Sequence, residues 1–227
     1  MEEKKTGFLS GTALKLIAMA CMAVDHIGDV FFPSQLWMRV IGRIAMPVFA
    51  FCVAEGCFHT HDRKKYLTRL GLFALISEIP FDLVSNGKLL EFGHQNIMAT
   101  FFWAVLALTL YDRIKGDGKD RKKLAAAVGV LILFAVLSLV LRLDYSFTAF
   151  GIIAIFHCFR EKPLWFRNVI AMSYHLLVRN VGVHFFGLLG FVPLFFYNGE
   201  KGRGLKWLFY LFYPCHLLLI FIIRSLI

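Results

Sequence analysis

The sequence is short of acids. Its 227 residues hold 15 Asp and Glu against 25 Lys and Arg, a formal charge of +10. It also has no Pro/Gly/Ser-rich linker, no low-complexity tract and no clear internal repeat. Cys21, Cys52, Cys57, Cys158 and Cys215 lie within or at the ends of apolar runs, and none forms a CxxC pair. That speaks against a disulfide framework and against structural zinc. There is no HExxH motif and no GxSxG nucleophile elbow, so a zinc hydrolase and a serine-triad hydrolase have no signature here.

What is present in excess is apolar surface. The chain is 59% hydrophobic with 25 Phe, and its mean hydropathy is +0.67. A soluble domain carries roughly 45–50% apolar residues. Most of the chain is therefore expected in a membrane, with no length left for a separate soluble domain, so 1–227 reads as a single transmembrane domain. A cleavable signal peptide is not expected, because the first apolar run carries Lys15. The Ala18–Cys21 stretch resembles a lipoprotein cleavage box, but the run continues into Asp25 and His26.

Apolar runs recur at roughly 9–31, 37–58, 66–85, 95–112, 122–141, 145–159, 164–179, 182–197 and 206–226. The fold class expected is all-α, a polytopic integral membrane helix bundle of about nine transmembrane segments. Several runs are shorter than the ~20 residues a perpendicular span needs, and 145–197 has room for re-entrant or tilted pieces. The basic residues then sort by side. Eighteen fall on one side, among them Lys4, Lys5, Arg63 to Lys65 and the Arg113 to Lys123 loop. Six fall on the other: Arg39, Arg43, Lys88, Arg142, Arg179 and Arg224. The positive-inside rule makes the N-terminus cytoplasmic.

Lys15 and His26 are eleven residues apart inside the first run. At 100° per residue they return to nearly one helix face, roughly 16 Å apart along it. The same run carries Asp25 and Asp29. A charge at mid-membrane costs about 2.5–3.5 kcal/mol to insert. These groups must face protein or a wet cavity, which makes them functional candidates. His26 suits proton transfer, since the ordinary imidazole pKa lies near 6.5. Asp29, three residues on, is placed to share its face and orient the ring. Asp25 is expected to meet an arginine of the second run.

Further polar residues gather toward the outer half: Arg39 and Arg43, Glu78 and Asp82, His94-Gln95-Asn96, Asp144-Tyr145, His175, Arg179 and His216. For Arg39, Arg43, Glu78 and Asp82 two readings stand side by side, catalytic groups or ion pairs that hold helices together. Asp144 beside Arg142 reads equally as an interfacial pair, and His216 as a hydrogen-bonded core histidine. On the opposite side Glu55, His59, His61, Arg63, Lys64 and Lys65 lie near the entry of Lys15. Such a cluster can hold cofactor phosphates, or it is ordinary positive-inside anchoring. A metal at His59 and His61 has no supporting ligand set.

Read together, Ser10-Gly11, Leu14-Lys15, Asp25-His26, Arg39 to Pro47, Glu55-Gly56 with His59-Thr60, and Ser77 to Leu83 resemble the TraX family. Tyr66-Leu67, Arg69-Leu70, Gln95-Asn96, Asp144-Tyr145 and Phe212-Tyr213-Pro214 with His216 extend the likeness from about residue 10 to 220. The family's named member is linked to N-terminal acetylation of a conjugative pilin. The Lys15-to-His26 spacing is also similar to a first-helix pattern of the wider transmembrane acyltransferases. These likenesses imply acyl transfer from cytosolic acetyl-CoA to an amine or hydroxyl: a protein N-terminus, a glycan or a lipid-linked sugar.

The expected enzyme is a multi-pass cell-membrane acetyltransferase with no nucleic-acid partner. His26, Asp25, Arg39, Arg43, Glu78 and Asp82 are its catalytic candidates. Lys15, Glu55, His59, Arg63, Lys64 and Lys65 would bind acetyl-CoA, and Gln95, Asn96, Asp144, Tyr145 and His216 the acceptor. The rival is a small proton-coupled transporter or channel using Asp25, His26 and Glu78 as a relay. It lacks the paired broken spans that transporters often show.

Overall fold

Four helices begin on a side chain that accepts the free amides of the first turn. Ser10 accepts from Ala13 N, Asp62 from Lys65 N, Asn96 from Met98 N and Ala99 N, and Asp120 from Lys122 N and Lys123 N. From these starts the computed structural model, which describes residues 7–227, builds α1 (Gly11–Phe31), α2 (Leu36–Gly42), α3 (Ala45–His59), α4 (Arg63–Asn86), α5 (Ile97–Lys115) and α6 (Arg121–Val140). Then follow α7 (Ser146–Cys158), α8 (Leu164–Val178) and α9 (Lys206–Leu226). Among the described residues there is no β-strand, and two isolated bridges are the extended pairings. The protein is all-helical.

Leu36–His59, Ile97–Lys115, Arg121–Val140 and Lys206–Leu226 are long and apolar enough to cross a membrane. The helices fall on the apolar runs with two differences. The second run breaks at Arg43 and Ile44 into α2 and α3. Residues Gly182–Phe191 and Pro193–Phe196 form 3-10 turns rather than an α-helix. There Gly187 and Gly190 give the close approach: a Cβ on Gly187 would meet the His175 ring, and one on Gly190 the Ile44 carbonyl. Lys4 and Lys5, counted above for orientation, lie outside the described residues.

Lipid is as apolar as leucine, so helices in a membrane are held by close packing and polar contacts. The central α3 shows this. It buries Ala45, Val48, Ala50, Phe51, Ala54 and Cys57, with Phe51 edge-on to Phe156 of α7 at 5.0 Å. By contrast α6 buries only Ala127 and Ser138 and is tied to α5 by Trp103 Nε1 donating to Phe134 O.

Two loop pairings position the site. The start of α1 zips onto the 196–203 loop: Leu9 N donates to Phe196 O, Asn198 N to Leu9 O, and Thr12 N to Lys201 O. Thr12 Oγ1 adds bonds to Lys201 O (3.0 Å) and Arg203 O (2.6 Å). Gly202, at φ +74°, passes so close that a Cβ would strike Ser10 and Thr12. At the other end Gln95 N donates to Arg142 O and Asp144 N to Gln95 O.

Candidate functional site

Because α1 is pinned to the 196–203 loop, Lys15 shares a cavity with Lys201, Arg203 and Lys206. The cavity holds about 410 Å³, and its remaining wall is mostly apolar and aromatic, including Phe49, Tyr66, Phe101, Phe209 and Tyr213. Among the described residues no Asp or Glu lines it. Lys15 Nζ sits 5.0 Å from the centre of the Phe209 ring, a cation–π contact. Four cations on an apolar chamber make a mouth suited in charge to an anion.

A second cavity of about 250 Å³ lies further along α1. It is lined by Asp25, His26, Asp29, Arg39, Arg43, His94, Asp144 and Tyr145. Met22, Phe49, Ile97, Phe101 and Tyr213 line both cavities. The two chambers therefore share a wall, with Lys15 and the 201–206 cations on one side and His26 on the other.

Asp25 organises the second chamber. Gly42 is the residue that lets α2 close on it, since a Cβ there would collide with the Asp25 carboxyl. Arg43 Nη2 then reaches Asp25 Oδ2 at 2.5 Å, and Arg39 Nη1 reaches Asp25 Oδ1 at 3.0 Å and Asp29 Oδ1 at 3.3 Å. Arg43 is 5% exposed, so this is a buried pair bound by charge-assisted bonds. Its Nη1 also donates to Tyr145 Oη at 2.6 Å. Tyr145 sits at φ +53°, between Arg142 and Ser146, which are also left-handed. For a bulky residue that is a costly conformation, and such strain clusters at functional sites.

The expectation that Asp25 meets an arginine of the second run holds. The expectation that Asp29 orients His26 does not: Asp29 is drawn to Arg39, and the ring nitrogen Nδ1 of His26 lies 2.7 Å from His216 Nε2. His216 therefore backs His26 rather than lining the cavity.

Other site candidates scatter. Glu78 and Asp82 line neither cavity. They pair with no arginine: Glu78 accepts from the Asn96 side chain, and Asp82 Oδ2 from Glu91 N at 2.7 Å. Asn96 caps α5 and Gln95 pairs through its backbone, so neither lines a cavity. On the cationic side only Lys15 of the six expected residues reaches the chamber. Glu55 is taken by Arg167 (3.2 Å) and His59 (3.3 Å), Arg63 by Asp112 (2.6 Å), and Lys65 by Asp62 (3.2 Å), while Lys64 is exposed. The ions at the mouth come instead from 201–206. Asp144 meets His94 at 3.5 Å rather than Arg142.

The family model described as "TraX protein" matches residues 10–224. The chain belongs to the TraX family. It is 28% identical over 242 residues to "Probable fimbrial assembly protein FimC, serogroup H1" of Dichelobacter nodosus, covering 93% of this chain and 94% of that protein. It is 29% identical over 126 residues to "Protein TraX" of Escherichia coli, covering 55% of this chain and 47% of that one. An uncharacterized protein of Rickettsia prowazekii is 41% identical over 66 residues, 29% of this chain and 25% of its own length. No solved structure matches.

The rim of this TraX-family cavity has a pH-sensitive contact. The hydrogen bond and charge of Asp144 raise the His94 pKa, against the opposing effect of burial. A raised pKa means that the contact stabilises fully below the unfolded value near 6.5 and is lost as pH climbs through the higher folded value. His94→Asn is therefore expected to lower the melting temperature in detergent at about pH 5.5 and to match the parent at about pH 8.5. An equal deficit at both values would show that the charge contributes nothing.

Proposed function

We propose that this protein is a membrane-embedded acyltransferase that moves an acetyl group from cytosolic acetyl-CoA to an amine or hydroxyl acceptor. The observation that carries the reading is the shared wall between the two chambers. One has the cations and the apolar depth suited to a phosphorylated, thioester-bearing arm. The other has a histidine on an otherwise charge-compensated face. The bundle acts as one multi-pass domain with the cationic mouth on the cytoplasmic side, which agrees with the positive-inside sorting of its loops. Acetyl-CoA supplies an activated acyl group as its thioester. The names of two relatives, a fimbrial assembly protein and TraX, support an acceptor in pilus or fimbrial assembly.

The protein's own residues have distinct parts. Lys15, Lys201, Arg203 and Lys206 hold the phosphates. His26 takes the acceptor's proton as the acceptor bonds to the thioester carbonyl; the C–S bond breaks, and His26 passes the proton to the departing sulfur. Tyr145, which accepts a hydrogen bond from Arg43, has its own hydroxyl hydrogen left to offer the oxyanion. Arg39 and Arg43 are held by Asp25, so they shape the site instead of binding an anionic acceptor. A proton relay through Asp25, His26 and Glu78 finds no support, because Glu78 lies off the cavity.

The test is on the cations. Changing Lys201, Arg203 and Lys206 to Ala is expected to raise the acetyl-CoA Kd or KM at least about tenfold, given about 1.5–3 kcal/mol per charged hydrogen bond. Changing Lys64 and Lys65 should leave it unchanged. The reverse pattern would move the donor to the 59–65 segment.

A further inference from the structure

The contacts behind His26 determine which of its nitrogens is free. His216 Nδ1 lies 2.7 Å from the carbonyl oxygen of Phe212. A carbonyl can only accept, so His216 Nδ1 carries a hydrogen. A neutral imidazole has one N–H, and His216 Nε2 therefore presents a lone pair. That nitrogen lies 2.7 Å from His26 Nδ1, so His26 donates through Nδ1. Its own lone pair is then on Nε2.

The ring geometry agrees. The two imidazoles are 7° from parallel with centres 5.0 Å apart, which fits an N–H···N bond lying in a common plane. The Phe212 ring stacks on His216 at 4.5 Å and 8° and holds that plane in place. His26 Nε2 has no partner among the described residues and is not one of the walled-in polar atoms. His26 lines the second cavity, while His216 lines neither. The two nearby carboxylates, Asp25 and Asp29, are engaged by Arg39 and Arg43.

We propose that His216 is a positioning residue: it holds His26 in the Nδ1–H tautomer and turns the Nε2 lone pair to the acceptor. The inference rests on the acyl-transfer reading for its consequence, but its geometry stands apart from it. A carboxylate does this work in a Ser-His-Asp triad. Here a neutral imidazole does it, anchored in turn on a backbone carbonyl. When Nε2 gains the acceptor's proton, the Nδ1–H bond to His216 becomes charge-assisted and strengthens. The tie costs no buried counter-charge, which suits a site whose carboxylates are committed to arginines.

The experiment uses the full chain in lipid nanodiscs with 15N-labelled histidine. Ring-nitrogen spectra at neutral pH, with His26 assigned by difference against His26→Ala, should show Nδ1 protonated and Nε2 bare. His216→Leu should abolish that Nδ1–H signal and lower kcat about tenfold or more with the donor KM unchanged. His216→Gln, whose amide oxygen can accept the same bond, should recover most of the rate. An Nε2–H form of His26 in the parent protein would overturn the proposal. So would a His216→Gln variant as slow as His216→Leu with the His26 spectrum intact, since His216 would then be moving the proton itself. If the parent transfers no acetyl group, the acyl-transfer reading fails, and the spectrum alone decides for or against the tautomer.

Discussion

Replacing His26 with Ala is expected to remove at least about a hundredfold of acyl transfer, since general-base assistance is typically worth about 10²–10⁴ in rate. The expectation follows from isolation. Of the two histidines that line the second cavity, His26 is tied through Nδ1 to the His216 imidazole and keeps Nε2 open, while His94 is tied through Nε2 to the Asp144 carboxylate. The carboxylates on the cavity are engaged, Asp29 by Arg39 and Asp144 by His94, and His216 does not line it. Asp25 is covered by two guanidinium groups, and the Tyr145 oxygen is engaged by Arg43. His26→Gln should not rescue the rate, because an amide bonds but does not take a proton. Both variants should fold, because His26 is only half-buried and its one side-chain bond is to His216. Lys15→Ala should act differently, raising the donor KM, because Lys15 faces the cationic chamber. Transfer by His26→Gln at near parental rate would reduce His26 to a hydrogen-bonder.

Asp25→Ala should be the most damaging change to the fold. It strands Arg43, buried at 5% exposure, and removes the nearer partner of Arg39. Breaking a buried pair by deleting one partner costs about 3–5 kcal/mol, because the remaining charge is left uncompensated. Against a total stability of about 5–15 kcal/mol that is a large share. The melting temperature in detergent should drop sharply, and adding Arg43→Leu to Asp25→Ala should restore part of it, because the stranded charge is then gone. An Asp25→Ala protein that melts with the parent would mean that the arginines are solvated and the pair is not structural.

The helix positions were legible because each apolar run is bounded by polar breaks, and lipid demands that every backbone group bond within its own segment. The 182–196 stretch resisted the same reading. Its hydropathy fits a helix, but its glycines serve contacts with His175 and Ile44 that only the folded bundle defines. Asp25 and its arginine were legible because a mid-membrane carboxylate needs a cation and the adjoining run supplies two. The partner of His26 was not. Helical spacing nominated Asp29, yet Arg39 outbid the imidazole for that carboxylate, and the true partner lies 190 residues away in α9. Sorting charges by side had the same limit. It put 63–65 and 201–206 on one side without saying which abuts Lys15; the pairing of Thr12 with Lys201 and Arg203 decides that.

The most direct measurement of the central claim is thiol release from acetyl-CoA by purified protein in nanodiscs, together with transfer of a radiolabelled acetyl group to added amine and hydroxyl acceptors. The account predicts free CoA and labelled acceptor in equal amounts, abolished by His26→Ala and shifted to higher donor concentration by the Lys201, Arg203 and Lys206 changes. Folded protein that neither binds acetyl-CoA nor releases its thiol with any acceptor would contradict it.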